Sequence, residues 1–166
     1  MDAGADEVDR LVEAWQRERS DLDLGPVEVF SRIGRLSVLL DRARRQAFAE
    51  HRIESWEFDV LAALRRAGRP YELSPGRLIK ETLVTSGTMT NRVDRLTQRG
   101  LVERLPDPRD RRGVLVRLTR QGKRTVDGAF TALLAREQQL LTGITTAQRE
   151  ELAATLRTLM VPLDEA

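Results

Sequence analysis

A chain of 166 residues with 33% charged and 40% apolar residues has about one domain's length and the composition of a folded, rather polar protein. Aromatics are 4%, so its core must be aliphatic; the absence of cysteine excludes disulfides, thiolate metal sites and thiol nucleophiles, and a single histidine, His51, leaves almost nothing for histidine catalysis or a histidine metal site. The net charge of +2 conceals two unlike regions: residues 1–31 carry nine acids against three arginines, a net −6, while residues 77–124 carry thirteen bases against five acids, a net +8, which points to an anionic partner for the middle of the chain.

In chain order, Val8, Leu11, Val12 and Trp15 fall at i, i+3, i+4, i+7 and predict a short amphipathic helix. A second stripe through Phe30, Ile33, Leu36, Leu40, Ala43 and Ala47 follows the break at Gly25-Pro26 and predicts a long helix ending near His51. Ser55 is the expected N-cap of a third, with Phe58, Leu61, Ala62 and Leu64 facing inward and Gly68 and Pro70 ending it. Ser74-Pro75 starts a short helix to Thr82, and Leu83-Val84-Thr85 makes a tight connection. Thr85 or Ser86 caps the next helix, and Gly100 stops it.

The period then changes. Leu101–Leu105 and Val114–Leu118 are short runs rich in branched residues, separated by PDPRDRRG, and predict a two-stranded antiparallel ribbon with a long, charged tip. Thr119 caps a long helix from Arg120 to about Leu141, and Thr145 with Gln148 forms a capping box for a last helix ending near Pro162. There is no internal repeat and no low-complexity segment.

A short helix, a tight turn, a second helix and a charged hairpin within residues 74–118 make the layout of a winged helix-turn-helix. The major groove of B-DNA admits one α-helix, and the segment Ser86–Arg99 suits it because its first turns carry small hydrogen-bonding residues. Ser86, Thr88, Thr90, Asn91 and Arg95 are the candidate DNA contacts there. Asparagine can bind adenine and arginine guanine in two-pronged fashion. Arg109, Arg111 and Arg112 at the hairpin tip suit a narrow minor groove, with Asp110 expected to pair with a neighbouring arginine and hold the loop's shape. A merely solvated charged face remains the alternative for each arginine.

The stretch LIKETLVTSGTMTNRVDRLTQRGLVERLPDPRDRRGVLVRLTRQGK, with RGLVER and DPRDRRGVLVRLT as its specific signals, resembles the MarR family of bacterial transcription regulators, and the resemblance runs from about Val27 to Leu159. It implies a mainly α (α+β) winged helix-turn-helix fold with a two-stranded wing and a helical dimerisation region. An N-terminal helix and linker would occupy residues 1–26 and the family domain residues 27–162. Within the latter, a DNA-binding lobe would span about 53–121 and dimerisation helices about 27–50 and 122–161, bearing Leu133, Leu134, Leu140, Leu141, Leu152, Leu156 and Leu159. The function implied is a homodimeric repressor that binds a palindromic operator in double-stranded DNA and is released by a small anionic ligand.

Trp15, Asp59, Arg92 and Arg104 resemble the ligand set of the family's urate-responsive branch, the PecS and HucR type. In that branch a tryptophan on the added N-terminal helix and an arginine of the recognition helix hold the ligand, an aspartate pairs with that arginine, and a second arginine sits at the base of the wing. An oxopurine anion offers a flat face for Trp15 and carbonyl oxygens for an arginine fork. Related regulators that answer to polycarboxylates such as citrate or aconitate keep a second ligand class open. Trp15 can equally be read as the apolar anchor of its helix, Asp59 with Arg92 as a constitutive ion pair, and Arg92 as a phosphate contact.

Two other functions compete. An enzyme would need a phosphate loop, metal spacing or a nucleophile beside a base, and none is present, so neither catalytic residues nor a metal or other cofactor is expected. An architectural DNA binder indifferent to sequence would need only the basic middle. No apolar run reaches the roughly 20 residues of a membrane span and the N-terminus is acidic, so no membrane association and a cytoplasmic location are expected.

Overall fold

The computed structural model describes residues 4–164, with the side chains of Arg111 and Asp164 outside that description. Its described residues form two compact units that divide between Arg44 and Arg45, inside one helix. Among them, no helix is long and apolar enough to cross a membrane.

The first unit holds α1 (Glu7–Glu18) and the first part of α2 (Gly25–Glu50). Asp6 caps α1 reciprocally with Asp9: its carboxylate accepts from the Val8 and Asp9 amides at 2.7 and 3.0 Å, and that of Asp9 accepts from the Asp6 amide at 2.7 Å. Arg32 of α2 then binds Asp6 at 2.9 Å and Asp9 at 2.6 Å, and Arg35 binds Glu7, so the capped end of α1 is tied ionically to α2. Opposite charge beside its carboxylate holds Glu7 below the ordinary glutamate range, with the Arg35 hydrogen bond the largest cause.

The second unit continues from α2 into α3 (Ser55–Arg66), β1 (Glu72–Leu73), α4 (Pro75–Thr82), α5 (Ser86–Gln98), β2 (Val102–Asp107), β3 (Asp110–Leu118), α6 (Arg120–Leu140) and α7 (Thr146–Asp164). Leu61, Leu64, Leu78, Met89, Leu96 and Val116 are fully buried, so the core joining α3, α4, α5 and the sheet is aliphatic, as the few aromatics require. Each such side chain contributes about 1.5–3 kcal/mol relative to exposure. Phe48 and Phe58, both buried in the same core cluster, stack at 4.3 Å between ring centres and are its aromatic exception.

Helix starts follow local chemistry. Ser74, Thr85 and Thr119 accept from the amides of Arg77, Thr88 and Gly122, and Thr145 exchanges bonds with Gln148. At α3 the cap is Glu54 and the expected Ser55 is the first helical residue; a cap at Ser55 would put Phe58, which has no acceptor, at the third helical position, whereas Glu57 accepts from the Glu54 amide at 2.9 Å. Pro162 lies inside the last turn of α7, which ends at Asp164, near the proline as expected. Leu83 takes the left-handed conformation (φ 52°) that turns α4 into α5, and Gly100 (φ 67°) follows the end of α5.

The expected two-stranded ribbon is present and is extended by β1, giving the antiparallel order β1-β3-β2. Glu72 stands opposite Arg117 and accepts from it at 2.6–2.7 Å, a cross-strand pair that fixes this two-residue strand. The wing joins α6 at a crowded corner. The Thr119 hydroxyl donates to the Gly100 carbonyl at 2.7 Å and accepts from the Gly122 amide at 3.0 Å. A Cβ on Gly122 would stand 1.9 Å from the Leu101 carbonyl oxygen, so only glycine lets α6 start there.

Candidate nucleic-acid interface

The first two turns of α5 are exposed at Ser86, Gly87, Thr88, Thr90 and Asn91, while Met89, Val93 and Leu96 face the core. One helix face anchors and the other is presented. Thr88 shares a hydroxyl bond with Thr85 (2.9 Å), and the Thr90 hydroxyl donates to the Ser86 carbonyl (3.1 Å), so both side chains have set directions.

The arginines of α5 and Arg99, its C-cap, are held individually. The Arg95 guanidinium lies 4.6 Å from the centre of the Trp56 ring and donates to Glu54 at 3.1 Å; that of Arg92 lies 5.5 Å from the same ring. Arg99 donates to the carboxylate of Glu57 and to the Arg52 carbonyl. Glu57 is 1% exposed and is the buried charged residue among the described residues. Among the described residues every buried side-chain nitrogen and oxygen has a hydrogen-bond partner.

The wing differs from its expected form. Its tip is a two-residue turn, Pro108-Arg109, because Asp107 still pairs with Asp110; the extra residues Arg111, Arg112 and Gly113 form an irregularity between Asp110 and Val114 of β3. The carboxylates of Asp107 and Asp110 accept from the amides of Arg109 and Arg112, each at 2.9 Å. Asp110 thus holds the loop's shape through the Arg112 amide, and its expected pairing with the Arg111 side chain lies outside the described residues. A Cβ at Gly113 would meet those of Asp107 and Asp110 at 2.8 and 3.0 Å. Arg109 and Arg112 are exposed, and the side chain of Arg111 lies outside the described residues.

The four expected ligand residues are divided. Trp15, 49% exposed on α1, belongs to the first unit, and Asp59, Arg92 and Arg104 to the second. Arg104, at the base of the wing, binds Asp94 of α5 at 2.8 Å; Arg92 faces Trp56; Asp59 is half-buried on α3. Several concavities occur within the second unit, among them two of similar size. One, of about 470 Å³, is lined by Trp56, Gly87, Thr88, Asn91, Arg92 and Arg95. The other, of about 500 Å³, lies between α3 and α6 against Phe58, Ala62, Arg65, Val126, Asp127 and Phe130. Beside it Asp127 accepts from Arg65 and Lys123, each at 2.7 Å; burial pushes its pKa up, but the two cations outweigh this and hold it below the ordinary aspartate value.

Glu54, Trp56 and Glu57 were not singled out from sequence. Trp56 lies outside the stripe Phe58, Leu61, Ala62, Leu64, and a large aromatic off the core stripe is the signal that could have found it.

Residues 53–113 match a model of the MarR family. The chain is 35% identical over 150 residues to the HTH-type transcriptional regulator PecS of Dickeya dadantii, covering 90% of each protein. A MarR mutant from E. coli complexed with operator DNA superposes with a TM-score of 0.67 at 29% identity, over 86% of this chain and 96% of that one. Bordetella bronchiseptica BpsR, from work on regulation of its DNA binding by 6-hydroxynicotinic acid, gives 0.66 at 27% identity, over 80% of this chain and 93% of that one.

Proposed function

The chain belongs to the MarR family of transcriptional regulators, and from that premise we propose that it is a homodimeric repressor released from a palindromic operator by a small anionic ligand. The observation that carries the DNA reading is the exposed start of α5, anchored from behind by Met89, Val93 and Leu96, in a chain whose wing exposes Arg109 and Arg112. In this reading Ser86, Thr88, Thr90, Asn91 and Arg95 serve the major groove, while Arg109, Arg111 and Arg112 serve the minor groove. The E. coli relative's complex with operator DNA supports it.

Dimerisation is supported by apolar side chains that one protomer leaves in solvent. Phe30, Val38 and Leu39 of α2 are 53–67% exposed, and Met160 and Leu163 of α7 are 54% and 68% exposed. Such surface calls for a second copy.

The effector is assigned to Trp15, Asp59, Arg92 and Arg104, with urate or a related oxopurine as the ligand and polycarboxylates such as citrate or aconitate as the second class. Control of BpsR by 6-hydroxynicotinic acid, a planar heterocyclic acid, supports a flat anion. Coupling of about 1–3 kcal/mol would change operator affinity about 5- to 150-fold. A regulator acting on DNA has its place of work in the cytoplasm.

Selection from a random duplex pool tests the reading. It should enrich an inverted repeat with half-site centres roughly 34 Å apart, bound by a dimer. Binding without enrichment would favour the architectural alternative, and no binding would end the DNA reading. Urate, xanthine and citrate can be screened by thermal melting, since a ligand at 100 times its Kd adds about 2.7 kcal/mol.

A further inference from the structure

Trp56 enters α3 at its second residue, half-buried and off the core stripe, and is fixed at its edge as well as over its ring. Its indole N–H donates to one oxygen of Glu54 at 2.8 Å, and the other oxygen of Glu54 accepts from Arg95 at 3.1 Å. Arg95 and Arg92 stand over the ring at 4.6 and 5.5 Å. Two like charges are therefore kept side by side on the recognition helix by one aromatic ring and one carboxylate. They line a single open concavity with the backbone of Gly87 and with Thr88 and Asn91.

This arrangement has the chemistry of a phosphate seat. Guanidinium forks match the oxygens of a phosphodiester, and the rotamer freedom an arginine loses on binding is already restricted when its plane rests on a ring. The carboxylate has the opposite effect, because it occupies the donors a phosphate would take. We propose that Trp56 is a positioning residue that braces Arg92 and Arg95 for the DNA backbone, and that Glu54 competes with the backbone phosphate for Arg95. The inference rests on the DNA-binding reading and places Arg95 on the phosphates that flank the major groove, a sequence-independent contact made by α5 and braced from α3. Arg92 is shared with the effector reading, so the test is made without effector.

Affinities are measured across a salt series by fluorescence anisotropy, on the selected operator and on a scrambled duplex of equal length. Trp56→Leu, which stays apolar but loses the ring, should weaken both by the same factor, about 2- to 30-fold. Its plot of log K against log salt should also be shallower by about one for each phosphate that the arginines no longer neutralise. Trp56→Phe should restore most of the affinity. Glu54→Gln, which retains an acceptor for the indole, should strengthen both duplexes about 2- to 5-fold. Weakened operator binding alone, with an unchanged salt slope, would assign Trp56 to base reading and overturn the proposal. A lower melting temperature with unaltered affinities would make the cluster purely structural and overturn it too. An unchanged Glu54→Gln affinity would remove the competition. Wild-type protein that binds neither duplex would instead overturn the DNA reading itself.

Discussion

The arginines of α5 and those of the wing carry the same charge in different surroundings. Arg92, Arg95 and Arg99 each rest on a ring, a carboxylate or a carbonyl from outside their own helix. Arg109 and Arg112 are exposed, and what is fixed there is the backbone, through Asp107 and Asp110. The helix therefore presents charge at set positions, which suits a phosphate contact of fixed geometry that sets the helix's register on the duplex. The wing presents charge on a shaped but unbraced loop, which suits attraction that any duplex satisfies.

The largest test of that contrast is Arg99→Ala. It strands the buried carboxylate of Glu57 and should cost about 3 kcal/mol in urea unfolding, with part recovered by adding Glu57→Gln. A cost below about 0.5 kcal/mol would put the helix arginines in the same class as exposed surface residues. Next, Gly113→Ala leaves every charge in place but drives a Cβ into Asp107 and Asp110; it should cost about 2 kcal/mol and weaken DNA binding through the wing's shape. Replacing Arg109 and Arg112 together by alanine should leave the melting temperature almost unchanged. It should make the salt dependence of DNA binding shallower by up to about two and weaken all duplexes alike. A loss confined to the operator would show that the wing reads sequence.

Asp127→Asn, away from both arginine groups, should have the smallest effect, under about 1 kcal/mol because its ion pairs are more than one-third exposed. The sign is fixed by the lowered carboxylate pKa. The stabilisation is complete above the unfolded value of about 3.9 and is lost as pH falls through the lower folded value. Melting curves of variant and wild type should accordingly converge in acid.

Helices and most of their starts are legible in the sequence because caps act within three residues: Ser74, Thr85, Thr119 and Thr145 each bond where their spacing predicts, while α3 is capped by Glu54 in place of Ser55. The two-residue β1 was not, since two residues have no period and its partner Arg117 is 45 positions away. The wing tip was read as too long because PDPRDRRG has turn composition throughout, while the pairing of Asp107 with Asp110 depends on the close approach at Gly113. At the candidate interface the residues of α5 were legible as types. Their environment was not, because Glu54, Trp56 and Glu57 meet α5 only across about 40 positions of chain.

The tie between Arg99 and Glu57 has a mechanical consequence. It clamps the trailing end of the reading helix, whose opposite end bears Ser86 and is held by no comparable buried pair among the described residues. The helix spans about 20 Å, so a swing of about 10° around that fulcrum displaces its leading tip by about 3.5 Å. A lever of this length turns a small tilt into the loss of every hydrogen bond made at the tip.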